Sequence, residues 1–237
     1  MNRTKIILVL VLIAALNIPA LAKKQKTAVF KDNVLSDQKL NFTLEVPKNW
    51  KVKTFKEEPE ELSILRAVFL KKNYKINKEV KELGGDFTIP EIQIYARMDE
   101  MTPMEFLEIL KKDIKSHNSE DDIITKLNLI LSGEFLGKEE IELDGIPAIH
   151  ALFKRKYTRR LQGDPSDPRY RQYGGLIIRS EHDVHDVYIL KRNDYLIVIQ
   201  FFSEREFYPP NRDEFTKILS SLKFNDTDKP AGEESGN

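Results

Sequence analysis

The chain has no cysteine, a single tryptophan, and only ten glycines and eleven prolines among 237 residues. Without cysteine there is no disulfide framework, thiol nucleophile, iron–sulfur cluster or Cys-type zinc site. The low Gly and Pro content excludes collagen-like and low-complexity chains, and a 41% hydrophobic fraction excludes a disordered one. A mean hydropathy of −0.45 excludes a polytopic membrane protein. An excess of one charge is missing too: 38 Lys and Arg balance 38 Asp and Glu, so whole-protein charge does not select nucleic acid as a partner. What remains is a globular protein whose apolar core suffices without staples.

Arg3 and Lys5 precede the uncharged run Ile6 to Leu16, and Asn17, Ile18 and Pro19 break it before Ala20-Leu21-Ala22. A basic start, a short apolar run and small residues at the cut make an export signal, with cleavage predicted after Ala22. The run is shorter than the ~20 residues a membrane-spanning helix needs. An uncleaved anchor is the alternative, because Ile6 to Ala22 carries no charge and Lys23-Lys24 follow. The expected division is therefore a signal peptide at 1–22, one domain at 23–224 and a disordered polar tail at 225–237. The expected location is periplasmic or extracellular, with membrane association if the leader is kept.

Leu40 to Val46 alternates apolar and polar residues, which predicts a half-buried strand before Pro47. Ile64 to Leu70 and Ile92 to Ala96 are predicted strands and antiparallel neighbours. Thr102-Pro103-Met104-Glu105 combines a cap residue, Pro at the first helical position and a capping-box Glu, so a helix is predicted from about 103 to 115. Ile123 to Phe135 fits helix or strand. Asp144-Gly145 between Glu139 to Leu143 and Ile146 to Tyr157 predicts a hairpin with a type I′ turn. A second hairpin joins Val187 to Leu190 with Tyr195 to Phe202, whose apolar run suits a central strand covered on both faces. Asn211 is read as the cap of a last amphipathic helix carrying Phe215, Ile218, Leu219 and Leu222. The element order predicts an α+β fold, an antiparallel sheet sandwiched between helices.

These pieces in this order, Phe42-Thr43-Leu44-Glu45-Val46-Pro47 with Asn49-Trp50, the helix from Thr102, Asp144-Gly145-Ile146-Pro147-Ala148 and Lys217 to Phe224, resemble the PsbP-like family. That family includes the extrinsic P subunit of photosystem II and exported bacterial proteins. The resemblance implies the α/β/α sandwich and a non-catalytic role in binding, docking or assembly on membrane-bound complexes. It supplies no catalytic residues, and the plant subunit's chloroplast targeting and docking segment has no counterpart here.

Gly133 to Glu139 mimics a phosphate loop but has too few residues between its glycines and Glu where a hydroxyl must meet Mg²⁺. The G-x-S-x-G, H-E-x-x-H and G-x-G-x-x-G signatures are missing. Glu181-His182-Asp183-Val184-His185-Asp186 packs metal-ligand types together, and His182, Asp183, His185 and Asp186 are the candidate ligands of a divalent ion, the basis of an alternative reading as a metal-dependent hydrolase. On a regular strand His182 and His185 face opposite sides, so a shared ion needs a turn or bulge between them. The other reading is a polar hairpin loop or solvated edge strand. His117 reads as a solvated cation beyond a helix end, His150 as a satisfied sheet residue, Trp50 as core, and Glu57 to Glu61 as a solvated face.

Phe153 to Tyr173 gathers Lys154, Arg155, Lys156, Arg159, Arg160, Arg169 and Arg171 with Phe153, Tyr157, Tyr170 and Tyr173. Guanidinium forks and aromatic faces suit phosphate-bearing ligands. Outside the cytoplasm they suit an anionic lipid headgroup or an acidic face of an envelope protein complex, not nucleic acid. Arg159, Arg160, Arg169, Tyr170, Arg171 and Tyr173 are the candidate binding residues; the alternative is a long solvated loop whose arginines pair with local acids. The expectation is an exported, monomeric, non-catalytic binding or assembly-support protein without a cofactor.

Overall fold

The computed structural model describes residues 27–55, 64–74, 89–130, 132–162, 166, 176–205 and 207–225. The predicted leader, the acidic run Glu57 to Glu61 and all but the first residue of the predicted tail lie outside them. Seven strands form the main sheet: β4 (Trp50–Thr54), β5 (Leu65–Lys71), β6 (Glu91–Met98), β7 (Gly133–Leu143), β8 (Ile146–Gln162), β9 (Leu176–Arg192) and β10 (Tyr195–Glu204). Their order is β4-β5-β6-β10-β9-β8-β7, and every neighbouring pair is antiparallel. The apolar run Tyr195 to Phe202 lies in the middle strand of the seven, as predicted, with Leu196, Val198 and Phe201 fully buried.

One face is covered by α1 (Pro103–Ser116), through Phe106, Leu107, Leu110 and Ile114, and by the short α2 (Asp122–Lys126). The predicted capping box closes α1: Glu105 N donates to Thr102 Oγ1 at 3.2 Å and Thr102 N to Glu105 Oε2 at 2.8 Å. The helix stops at His117, whose left-handed φ of 58° supports the reading of that residue as lying beyond a helix end. The ambiguous Ile123 to Phe135 segment is both types in turn. Asp121 Oδ1 accepts from Ile123 N and Ile124 N and starts α2, and β7 begins at Gly133. A Cβ at Gly133 would stand 2.4 Å from Leu129 O, so glycine lets the chain fold back tightly there.

The opposite face differs from the expected layer of helices. It is shared by α3 (Tyr208–Ser220) and a four-stranded sheet, ordered β1-β2-β3-β11, of β1 (Ala28–Lys31), β2 (Val34–Asp37), β3 (Phe42–Glu45) and β11 (Lys223–Phe224). Leu40, Phe42, Leu44 and Val46 are all buried on it, as their alternation predicts. Trp50 is core as expected, 1% exposed, with Nε1 donating to Glu214 Oε2 at 2.7 Å. The last helix starts at Tyr208, a turn before the cap predicted at Asn211. Pro209 and Pro210 fall in its first turn, where the missing N–H has no helical acceptor anyway, and Asn211 Nδ2 donates back to Phe207 O at 2.6 Å.

Candidate functional site

Asp144 and Gly145 take the left-handed φ values, 51° and 78°, that a type I′ turn requires, which sets Leu143 against Ile146 and therefore Glu139 against His150. The neighbouring β9 then brings Asp186 beside the same imidazole. His150 Nδ1 is 2.6 Å from Glu139 Oε1 and Nε2 is 2.6 Å from Asp186 Oδ1. Asp186 is fully buried and accepts a second bond, from Tyr208 OH at 2.5 Å, while Arg212 Nε stands 3.8 Å away. The His150 ring stacks on Tyr188 with centroids 4.4 Å apart. Both imidazole nitrogens face carboxylates, so both must donate and the ring is an imidazolium. Burial pushes its pKa down, but the bonds to Asp186 and Glu139 outweigh that and raise it. Burial and the Asp186 charge push the Tyr208 and Tyr188 hydroxyls up.

The sequence reading placed Glu181 to Asp186 in a polar loop, on a solvated edge or in a metal site. It lies within β9, and from Asp183 onward that strand is flanked by β8 and β10. Regular pairing sends His182 and His185 to opposite faces. His185 points under α1 and α2, where Nε2 lies 2.9 Å from Asp183 Oδ1. Gln200 Nε2 stands 2.6 Å from His185 Nδ1 and donates to Leu127 O at 3.1 Å. Arg155 closes the group with Nη2 donating to Asp183 Oδ2 at 2.6 Å. Complete burial pushes the His185 pKa down, so the ring is neutral, its Nδ1 accepting from Gln200 and its Nε2–H donating to Asp183. Burial would raise the Asp183 carboxyl, but bonds from His185 and Arg155 hold it below its usual range.

The four candidate ligands thus divide. Asp183 and His185 sit on one face, His182 and Asp186 on the other, and His150 and Gln200 complete the two clusters. The sequence reading treated His150 as a satisfied sheet residue, which it is. The hairpin register could have named its partner Glu139, whereas nothing local pointed to Gln200, a single polar residue in an apolar run. Among the described residues no group of three His, Cys, Asp or Glu is placed to hold a metal ion. Neither histidine lines the open groove of about 760 Å³ between Thr102, Pro103 and Met104 and the Glu140, Glu142 and Pro147 edge.

The basic segment from Phe153 is strand as far as Tyr157, as predicted, and the strand continues to Gln162, where the alternative reading expects a loop. Phe153 is fully buried against Phe135, and Lys154 and Arg155 pair with Glu134 and Asp183. β7 accompanies β8 only as far as Arg155, and β10 accompanies β9 only from Asp183. Beyond those points, among the described residues, Lys156 to Gln162 ladders with Leu176 to His182 alone, a two-stranded arm that runs about 23 Å past the sheet. Arg159 and Arg160 lie on it, with Arg159 the cross-strand partner of Arg179. Arg169, Tyr170, Arg171 and Tyr173 lie outside the described residues.

No family model matches the chain, and no curated protein matches it either. Solved structures similar to it include cyanobacterial PsbP from Synechocystis sp. PCC 6803, at 12% identity and a TM-score of 0.45, covering 86% of this chain and 96% of that one. LpqN, involved in cell envelope biogenesis of Mycobacterium tuberculosis, is 10% identical with a TM-score of 0.41, over 77% of this chain and 82% of its own. The Ran-binding protein Mog1p of Saccharomyces cerevisiae is 11% identical with a TM-score of 0.43, over 83% of this chain and 96% of its own. The PsbP structure represents the family that the sequence resembles. At these identities the likeness is one of fold, and no activity comes with it.

Proposed function

We propose that this chain is an exported, monomeric, non-catalytic binding or assembly-support protein of the cell envelope, and that the β8–β9 arm is its recognition element. The carrying observation is the contrast between its polar groups. The buried histidines are held on both ring nitrogens by partners within the protein, while the arm leaves the sheet with Lys156, Arg159 and Arg160 on its β8 strand. A two-stranded ribbon is marginal in water on its own, so a long one is a cost that recognition explains. Export rests on the leader-like first 22 residues. The hydrolase alternative needs His182 and His185 in one cleft, and no observation favours it.

The test is site-specific photocrosslinking in native envelope. A crosslinker at exposed Ser166, between the two arm strands in sequence, is compared with one at exposed Lys112 on α1. Adducts from position 166 that disappear when Arg159, Arg160, Arg169 and Arg171 become Ser are expected. Equal yields from both positions, or adducts indifferent to those substitutions, overturn the proposal.

A further inference from the structure

We infer that the outer edge of β8 within the arm, Lys156 to Gln162, receives an acidic extended segment of a partner protein as an added strand. This rests on the arm being the recognition element and names what it recognises. The last backbone bond on that side of β8 is Lys156 N to Ser132 O, at 3.1 Å, so Lys156 directs its peptide groups away from β9. In an antiparallel ladder that orientation recurs at every second residue, which turns Thr158 and Arg160 outward as well. The same alternation marks the far side, where Arg205 N donates to His182 O at 3.1 Å and β10 ends. Among the described residues no strand pairs with β8 beyond Arg155 on this side. Thr158 is exposed and its N–H faces outward, and such an edge is a template for another strand.

Charge selects the occupant. Lys156, Arg159 and Arg160 lie on β8, and the register sets Arg159 across from Arg179. Like charges on opposed residues destabilise a ladder, and a third strand bearing carboxylates offsets them. A second copy of the same edge would add cations to cations, which disfavours self-pairing. The β9 edge carries Glu181 and suits an acidic strand less well. An anionic lipid surface would answer the charge but leave the peptide groups of Thr158 and Arg160 without a strand.

The probe is a synthetic ten-residue peptide alternating Glu and Val, offered to the purified protein beside the same peptide N-methylated at alternate residues, and beside phosphatidylglycerol vesicles. The parent peptide is expected to bind at least tenfold more tightly than its N-methylated form and to slow exchange of the Thr158 amide. T158P removes one outward N–H and no β8–β9 bond, so it should weaken binding tenfold or more while the fold persists. R159S with R160S should weaken it comparably through charge. No measurable binding of the parent peptide overturns the inference. So does a Thr158 amide already protected in the free protein, which would mean that its own chain or a second copy covers the edge. Equal binding of the N-methylated peptide, or vesicle binding that depends on the arginines but ignores T158P, also overturns it. In those last cases arginine-dependent crosslinking would leave the arm as recognition element and remove only the added strand.

Discussion

Two histidines, His185 from β9 and His150 from β8, meet aspartates of β9 on opposite faces of the sheet and end in opposite protonation states. His185 is 1% exposed and has one carboxylate, itself shared with Arg155, so burial dominates and the ring is neutral. His150 is similarly buried, at 6% exposed, but lies between two carboxylates and is cationic. Burial alone therefore does not set the charge. The number of anions each ring faces, and what else those anions hold, decides it.

The widest gap between the two clusters should appear when the shared anion of the deeper one is removed. Asp183→Ala leaves Arg155 facing a buried site without its partner and orphans the His185 Nε2–H. A loss of about 3–5 kcal/mol in urea unfolding is expected, the range for breaking a buried pair on one side only. A loss under about 1 kcal/mol would mean that water reaches the Arg155 side and that the two clusters are equally open. The corresponding change on the other face, Tyr208→Phe, removes one hydrogen bond to the buried Asp186 carboxylate and leaves His150 to hold it. About 1.5–3 kcal/mol is expected, the range for a bond to a charged group. The same measurement would show α3 loosened from the sheet as faster amide exchange in its first turn.

Acidity gives a third contrast, smaller and of opposite sign on the two faces. The His150 pKa is raised by folding, so its contribution is complete below about pH 6.5, the unfolded value, and is lost as pH rises through the folded pKa. The His185 pKa is lowered, so its contribution is complete above that unfolded value and is lost as pH falls toward the folded pKa. Subtracting the stability profile of His150→Gln from that of the native chain should leave a curve falling with pH. The same subtraction with His185→Gln should leave one that rises. Two curves of the same slope would show that one ring has been given the wrong protonation state, and imidazole ¹⁵N shifts would say which.

Part of this was readable beforehand. Asp144-Gly145 fixes a turn with only one favourable register, and that register alone sets Glu139 opposite His150. Thr102-Pro103-Met104-Glu105 starts a helix through contacts made within four residues, so it too is local. The small sheet is a different matter. Its strands β1 and β2 have four residues each, too short for alternation to register, although Asp32 and Asn33 between them take left-handed φ values of 52° and 63°. The arm is legible in the sequence only as far as Tyr157, which is buried and ends the predicted strand; beyond it Thr158 to Gln162 take their strand character from pairing with Leu176 to Ser180, a partner distant in sequence. The division of Asp183, His185 and Asp186 between two clusters depends on Arg155, Gln200 and Tyr208, all distant in sequence, so strand alternation could separate the histidines but not name their partners.

The finest test of the comparison concerns the exposed end of the His150 cluster. Glu139 has 63% of its side chain in solvent, whereas Asp186 has none, yet both hold the same ring at the same distance. If the anion count sets the charge of His150, Glu139→Gln should lower its pKa by replacing a carboxylate with a neutral amide that still accepts a hydrogen bond. Solvent screens an exposed pair, so the cost in stability should stay within about 1 kcal/mol and shrink further in high salt. The informative reading is the His150 midpoint in an NMR titration: a clear fall toward the ordinary value, with unfolding almost unchanged, supports the role of the second anion. An unmoved midpoint would assign the charge to Asp186 alone. Asp183 accepts from His185, so the difference between the two faces would then trace to what each aspartate also binds, Arg155 on one side and the Tyr208 hydroxyl on the other.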